Sequence, residues 1–514
     1  MLSKQFPHLD TDFYKVSHVM KNETNSIGET DPSLHPVGIT ELYETLTPRE
    51  NSYFPYSEQM TVYGYEFFVE NLVKNWQENF FNKGEEEIIS DFDVVTMMAG
   101  QEVHDKFLPQ MLALHKLGYL PLEIKALPEG FLVPMRVPVL SIVNTHPNFY
   151  WLPGYLETTL LANTFVTSTV ASYAREFRKL GQKYADLTAD SNDYLDFQFH
   201  DFSQRGQHGD EAGILAGISH LTCFKGSDQI PAVKTLMDFY KDTDKNELIG
   251  ASVVATEHSI MESLAGQFGT NKQGQIDAFK NLIERNPSGI LSIVSDTYDY
   301  WEVIDEVLPS LKELILARDG KLVIRPDSLT ESRMKTPNHR IENVNDQLVE
   351  SLKALYEVFG GAINSKGYKV LDQHIGLLHG EGITLDNLEE LFIAIEKSGF
   401  STENIVLGVG AYTYSVKPSR DDFGQALKAS SVVIGGKDIP IFKQPKSENE
   451  AFKRSPRGAV SIHGTSGNYS MIEGLTIQEA RNDSKNQMNT LLKDGVSSFK
   501  TPFSVIRERI QSEI

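Results

Sequence analysis

The stretch Lys321-Leu322-Val323-Ile324-Arg325-Pro326-Asp327-Ser328 is an apolar, β-branched run that breaks off into a cation, a proline and a carboxylate. Val and Ile favour the extended chain, and Pro326 cannot donate to a sheet ladder, so a strand is expected to end with Arg325 and Asp327 just past it. The same plan recurs on both sides. Upstream, Phe197–Phe199 runs into His200-Asp201-Phe202, Ser252–Ala255 into Thr256-Glu257-His258, and Leu291–Ser295 into Asp296. Downstream, Ile375–Leu378 runs into His379-Gly380-Glu381-Gly382, Ile405–Leu407 into Gly408-Val409-Gly410, and Val432–Ile434 into Gly435-Gly436.

Helical patterns separate these strands. One carries Val349, Leu352, Leu355 and Phe359, and another Leu385, Leu388, Leu391, Phe392 and Ile395, ending at Gly399. Strand–helix alternation implies parallel strands joined by crossover helices. Polar residues gathered at successive strand ends are what an α/β barrel places at its mouth, and bare glycine turns there let backbone N–H groups approach phosphate. An open doubly wound sheet gives a similar alternation. Before this region, Asn22–Ser57 reads as loops around one strand near Leu42-Tyr43, and Glu85-Glu86-Glu87 as a solvated helix start.

A length of 514 residues allows two or three domains with a large core. No apolar run approaches the roughly 18 residues of a membrane span, and Met1–His8 lacks the apolar centre of a secretory signal, so a cytoplasmic protein is expected. Cys223 stands alone, which excludes a disulfide framework or a multi-cysteine metal site. The net charge of -22 argues against sequence-blind nucleic-acid binding, but a few cations in a cleft can still hold a phosphorylated small molecule.

Read singly, the polar turns have plain accounts. Arg325 and Asp327 could grip a phosphorylated sugar, yet a surface ion pair beside a proline turn is simpler. Asp296 reads as a helix cap, and Glu257-His258-Ser259 as a cap with a satisfied histidine. In His200–Gly206, an aromatic ring beside Arg205 suits a flat heterocycle next to phosphate. Gly408-Val409-Gly410-Ala411 lacks the third glycine of a dinucleotide fingerprint, and no Walker loop, His-Glu-x-x-His site or nucleophile elbow occurs. Any metal is therefore expected to be a hard, oxygen-ligated ion such as Mg²⁺, arriving with a phosphorylated substrate.

In order along the chain, these segments are joined by Thr11–His18, Tyr63-Gly64, Leu122–Gly130, Tyr150-Trp151, Phe224–Asp228, Asn364–Lys369 and Ile441–Lys443. Together they resemble the type II phosphoribosyltransferase family, in its nicotinamide and nicotinate branch, over nearly the whole chain. The resemblance implies an irregular α/β barrel over residues 161–436 and an N-terminal α+β domain over 1–160, completed by 437–514. It also implies a homodimer with shared active sites, transfer of phosphoribosyl from phosphoribosyl pyrophosphate, Mg²⁺, and ATP as co-substrate.

By position, the resemblance puts Phe202 on one face of the pyridine ring and Tyr14, donated by the partner subunit with Asp12 nearby, on the other. Arg205 and Arg325 are implied to hold phosphate or pyrophosphate, and Asp327 the ribose hydroxyls. Asp296 is implied to be catalytic together with His258, Arg325 and Asp327; Ser292, Gly380 and Glu381 fall within the substrate site, while Gly410, Ala411, Arg420, Lys428, Lys443 and Arg49 surround phosphate groups. His258 matches the histidine that the family phosphorylates with ATP. Asp228 matches the carboxylate that accepts the amide N–H of nicotinamide and repels nicotinate, so nicotinamide is the expected substrate. A nicotinate enzyme and a non-catalytic phosphosugar-binding protein are the alternatives.

Several positions depart from the family. Glu381 replaces an aspartate, Ala411 and Leu329 replace glycines, Ser203-Gln204 replace a Gly-Tyr pair, and the region around Arg49 differs in length. These changes bear on affinity and ATP coupling more than on the class of reaction.

Overall fold

The computed structural model describes residues 5–24, 30–240, 247–327, 340–380, 382–447, 452–498 and 500–514. The chain divides into two compact units. Unit 1 comprises Met1–Ser172, Phe239–Lys241 and Ser419–Ser512, and unit 2 comprises Tyr173–Asp238, Asp242–Pro418 and Glu513–Ile514.

Unit 2 is built on six strands: β1 (Phe199–Asp201), β2 (Val254–Ala255), β3 (Leu291–Val294), β4 (Leu322–Arg325), β5 (Ile375–His379) and β6 (Ile405–Val409). Their order in the sheet is β1-β6-β5-β4-β3-β2, and every pairing is parallel. The segment 225–228 joins the two edges. Asp201 N–H donates to Gly226 O at 3.1 Å, and Ser227 N–H donates to Ala251 O at 3.0 Å, just ahead of β2. The sheet thus curls into an irregular α/β barrel, as the resemblance implies, where the strand–helix rhythm alone left an open sheet as an alternative.

The strand interiors are apolar, with Phe199, Ile293, Leu322, Ile324 and Leu407 fully buried. The helix Leu385–Lys397 between β5 and β6 buries Leu385, Leu388, Leu391, Phe392 and Ile395 along one stripe. Each such side chain contributes about 1.5–3 kcal/mol by leaving water. Thr384 and Asn387 form a capping box at its start. Just past its end, Gly399 at φ 81° donates to Glu396 O at 2.9 Å, a turn that a side chain would strain.

Three strand readings need correction. Phe197 belongs to the short helix Leu195–Gln198 and is 40% exposed; pairing begins at Phe199, which faces Leu407 of β6. Only Val254 and Ala255 form β2, because Ala251 is taken up by the closing segment. Val432–Ile434 is not a barrel strand. It is the end of Ala426–Ile434, which pairs antiparallel with Ile39–Thr47 in unit 1, and Gly435-Gly436 turn that strand into Lys437–Pro440.

Unit 1 carries a seven-stranded antiparallel sheet drawn from both ends of the chain. Its order is Lys437–Pro440, Ala426–Ile434, Ile39–Thr47, Leu140–Asn144, Leu122–Ala126, Asn489–Lys493 and Val496–Ser497. The strand expected near Leu42-Tyr43 is the third of these seven, and Glu85–Asp91 is the helix expected at the acidic run. No helix among the described residues is long and apolar enough to cross a membrane.

The start of the helix Tyr65–Trp76 rests on a buried carboxylate. Glu129 Oε1 accepts the N–H groups of Gly64 and Glu66 at 2.8 and 2.9 Å, and Oε2 accepts Tyr240 OH at 2.8 Å. Gly64 has φ 92°, and a Cβ there would fall 2.1 Å from Thr167 Oγ1. Burial, with the Glu66 charge nearby, pushes the Glu129 carboxyl up to about 8. The folded state therefore holds a proton that the unfolded chain releases near pH 4.5, and stability attributable to Glu129 falls as pH rises from about 4.5 through about 8. Glu129→Gln mimics the protonated acid, so its melting temperature should fall less than that of the wild type between these pH values. Parallel thermal melts across that range check this, and identical slopes would contradict it.

Candidate active site

The loops after β1 to β6 bring most of the expected residues of unit 2 to one end of the barrel. After β1, Asp201 is fully buried and organises the turn. Its Oδ1 accepts Ser203 N–H at 2.8 Å and its Oδ2 accepts Gln229 Nε2–H at 2.6 Å. Phe202 is fixed by its own N–H, which donates to Val409 O at 2.9 Å. The Phe202 ring lies 4.6 Å from the His200 ring at an interplanar angle of 33°.

Asp228 stands beside these rings. Its Oδ1 lies 2.8 Å from His200 Nε2 and also accepts the Ser252 hydroxyl. Burial pushes the Asp228 carboxyl up, but hydrogen bonds from His200 and Ser252, with the charges of His200 and Arg325, outweigh it and hold the group below its usual range. An ionised, half-exposed carboxylate beside an aromatic ring can accept a neutral amide N–H and oppose an anion.

After β2, β3 and β4 the polar side chains form one chain of contacts. His258 Nε2 is 3.2 Å from Asp296 Oδ1, and Asp296 Oδ2 accepts Asp327 N–H at 2.9 Å. Asp327 Oδ1 in turn lies 3.0 Å from Arg325 Nε, and Arg325 Nη2–H donates to Thr256 O at 2.7 Å. The plain accounts of these residues hold only in part, His258 being satisfied by Asp296. Asp299, not Asp296, caps the next helix, accepting N–H groups of Trp301 and Glu302. Glu257 occupies an N-cap position without a side-chain cap bond. Arg325 is only 8% exposed, whereas the side chain of its partner Asp327 is 38% exposed. Asp296 is held almost out of solvent, whereas His258 remains 42% exposed.

Glycines let these loops crowd together. A Cβ on Gly380 would stand 3.2 Å from Asp327 Oδ1, and one on Gly408 would stand 2.9 Å from Gly380 Cα. Gly410 faces open space. Ser292 on β3 is buried, and its Oγ has no hydrogen-bond partner among the described residues. Arg205 is exposed in the turn Gln204–Gly206. Glu381 and Leu329 lie outside the described residues.

The remaining expected residues belong to unit 1. Tyr14 opens the helix Tyr14–Val19 with its ring 56% exposed. Asp12 is tied to Thr158, whose hydroxyl donates to Asp12 Oδ2 at 2.7 Å. Beneath Tyr14, Lys15 Nζ is 2.5 Å from Glu157 Oε2, and Lys428 Nζ lies 3.2 Å from Glu157 Oε1. Glu44 beside them is buried, and burial pushes its carboxyl up to about 7, with Lys15 and Lys428 opposing. Arg49 Nε–H donates to Gly424 O at 2.6 Å; burial and then the Arg420 charge lower its hold on its proton. Two guanidinium groups that repel one another favour an anion between them. Lys443 is exposed, and its backbone is pinned by Ser455, whose Oγ accepts its N–H at 2.8 Å.

The sequence assigned no role to His200, Ser252, Thr256, Gln229, Glu157 or Glu44. A histidine or serine next to a strand end was the only signal, because each acts through a residue distant in the chain.

Comparison with known proteins bears on what this arrangement does. A model described as the nicotinate phosphoribosyltransferase (NAPRTase) family matches residues 197–493. A relative from Acinetobacter baylyi, named nicotinamide phosphoribosyltransferase, is 33% identical over 517 residues, covering 98% of this chain and 96% of its own length. One of the same name from Mycoplasma pneumoniae is 32% identical over 345 residues, covering 66% of this chain and 71% of its own. Among solved structures, the nicotinate-nucleotide pyrophosphorylase from Pyrococcus furiosus aligns over 99% of this chain and 95% of that one, with a TM-score of 0.56. At 14% identity that is a likeness of fold alone.

One contact tests the loop packing directly. A Cβ on Gly206 would fall 2.2 Å from Ala411 Cβ, so the turn after β1 and the turn after β6 meet with no room to spare. Gly206→Ala should destabilise the fold by about 1–3 kcal/mol, the usual range for overpacking. Gly206→Ala combined with Ala411→Gly should recover most of that loss. Denaturant melts of the two single variants and the double variant check this, and strict additivity would refute the contact.

Proposed function

The chain belongs to the nicotinate phosphoribosyltransferase family, and on that footing we propose that it transfers the 5-phosphoribosyl group of phosphoribosyl pyrophosphate to nicotinamide. The products are nicotinamide mononucleotide and pyrophosphate, a step of NAD salvage. The names of the Acinetobacter and Mycoplasma relatives support the activity. The observation that carries the choice of substrate is Asp228, held ionised beside Phe202.

The pyridine ring stacks on Phe202, with Tyr14 of the partner subunit on its other face and Asp12 close to it. The carboxamide N–H donates to Asp228. Nicotinate would set a second carboxylate there. Two carboxylates about 4 Å apart at an effective dielectric of about 20 repel by about 4 kcal/mol. That energy corresponds to about a thousandfold in kcat/KM.

No side-chain nucleophile is needed. The ring nitrogen bonds to the anomeric carbon as the bond to pyrophosphate breaks, through an oxocarbenium-like transition state. Asp327 holds ribose hydroxyls, and Arg205 and Arg325 hold phosphate oxygens; Arg49, Arg420, Lys428 and Lys443, with the Gly410-Ala411 turn, are assigned to phosphate groups. Catalysis is then positioning and charge stabilisation. Mg²⁺ would arrive with phosphoribosyl pyrophosphate and, when bound, would supply positive charge to offset that developing on the leaving group. His258 takes the γ-phosphoryl group of ATP as ADP leaves, and water later releases that group as inorganic phosphate. Asp296 accepts the His258 Nε2–H, which leaves the Nδ1 lone pair as the nucleophile.

With Mg²⁺ and phosphoribosyl pyrophosphate, the enzyme should make nicotinamide mononucleotide from nicotinamide, faster with ATP, and negligible product from nicotinate. Asp228→Ser should lower kcat/KM for nicotinamide and raise it for nicotinate. Nicotinate mononucleotide as the main wild-type product would overturn the reading of Asp228. No product from either base would leave a phosphosugar-binding protein on the same fold.

Sharing of sites has its own test. Tyr14→Ala and Arg325→Ala should each be nearly inactive, whereas each mixed dimer restores one complete site. Random mixing should therefore recover about a quarter of wild-type activity. Confirmed heterodimers without recovery would exclude a shared site.

A further inference from the structure

His200 has no part in the mechanism above, yet three constraints meet on its ring. One face lies against Phe202 at 4.6 Å. Nε2 is 2.8 Å from Asp228 Oδ1. The opposite edge presses on the backbone of the closing segment, where a Cβ on Gly226 would stand 2.9 Å from His200 Nδ1. The ring is buried, and its backbone is fixed by the parallel register that sets Gly408 opposite His200.

We propose that His200 is a positioning residue that sets the angle between the stacking surface of Phe202 and the carboxylate of Asp228, and so helps to determine the preference for nicotinamide over nicotinate. The inference rests on the proposed function and deepens it. A carboxylate oxygen has two lone pairs. Oδ1 of Asp228 spends both, on His200 Nε2–H and on the Ser252 hydroxyl, which leaves Oδ2 as the acceptor for an amide N–H. The terminal torsion of an aspartate is broad and roughly two-fold, so without a donor on Oδ1 the acceptor has no single direction. A carboxylate free to turn weakens the amide bond and also swings away from an incoming carboxylate. Both effects narrow the preference. Because the same imidazole backs Phe202, ring plane and acceptor are held in one relation.

The test uses the full-length enzyme and two variants that separate the contacts. His200→Phe keeps a ring against Phe202 and removes the donor; His200→Gln restores a donor and removes the ring. With His200→Phe, the nicotinamide KM should rise about tenfold and the nicotinamide-to-nicotinate ratio of kcat/KM should fall about tenfold, the effect of one charge-assisted hydrogen bond. KM for phosphoribosyl pyrophosphate and the melting temperature should stay at wild-type values. His200→Gln should recover much of the lost preference. Gly226→Ala displaces the ring by another route, should lower the preference in the same direction, and serves if His200→Phe does not fold. An unchanged preference in His200→Phe or, failing that, in Gly226→Ala overturns the proposal. So does a uniform loss, in which every KM and the melting temperature shift together and His200→Gln restores nothing. Asp228→Ser is run alongside. If it shifts the preference while the His200 variants do not, only this inference falls. If Asp228→Ser leaves the preference unchanged, the substrate reading falls and this inference with it.

Discussion

Val294 lies opposite Arg325, Leu291 opposite Leu322, and Gly408 opposite His200, because parallel pairing fixes the register of each strand against its neighbours. From that register the barrel mouth follows. Asp296 sits two residues past Val294 and Asp327 two past Arg325, so a carboxylate from one loop meets the N–H of the other at 2.9 Å. The residues after β2 are brought in the same way, and His258 reaches the second oxygen of Asp296. A slip of one residue in any of these pairings would turn the polar residues into the apolar interior. The register of the strands thus specifies the polar site, to which β1 and β4 themselves contribute His200, Asp201 and Arg325 at their ends.

Charge at the mouth is arranged by local partners, whatever the net charge of -22 suggests about the surface. Arg325 is buried against Asp327 and the Thr256 carbonyl, which satisfies a guanidinium that would otherwise be costly to desolvate. Asp228 is opposed by burial and stays ionised because donors converge on one oxygen. Glu44 in unit 1 is the contrasting case: burial pushes it to about 7 because the nearby lysines are engaged by Glu157. A buried carboxylate is kept charged or driven towards neutral by whether donors reach it.

The sequence made the barrel legible, since six of the seven strand candidates fall in one parallel sheet and the polar turns follow them. The seventh misled because a short β-branched run ending in glycines looks alike whether its partner is parallel or antiparallel. What separates the cases is pairing with Ile39–Thr47, nearly four hundred residues earlier. Boundaries blurred where pairing, not propensity, decides, as at Phe197 and Ser252. The candidate site was legible as polar residues at or just past strand ends, as with Asp296, Arg325 and Asp327, although each of these read singly also had a plain account. It was hidden where one side chain acts on another: His200 and Ser252 converge on Asp228 only because the segment 225–228 closes the barrel between them.

The alanine at 411 shows how a departure from a family pattern can be absorbed by the packing. A methyl group in a phosphate turn would ordinarily obstruct the approach of an anion to backbone N–H groups. Here the Ala411 Cβ points at Gly206, where the missing side chain leaves it space, and the direction of a Cβ at Gly410 stays open. The added carbon therefore lies between two turns of unit 2 and off the face that Gly410 presents. It also ties the turn carrying Arg205 to the turn after β6, so that two elements assigned to phosphate become one packed unit. On this geometry Ala411 constrains the position of Arg205 and leaves the backbone approach at Gly410 unobstructed.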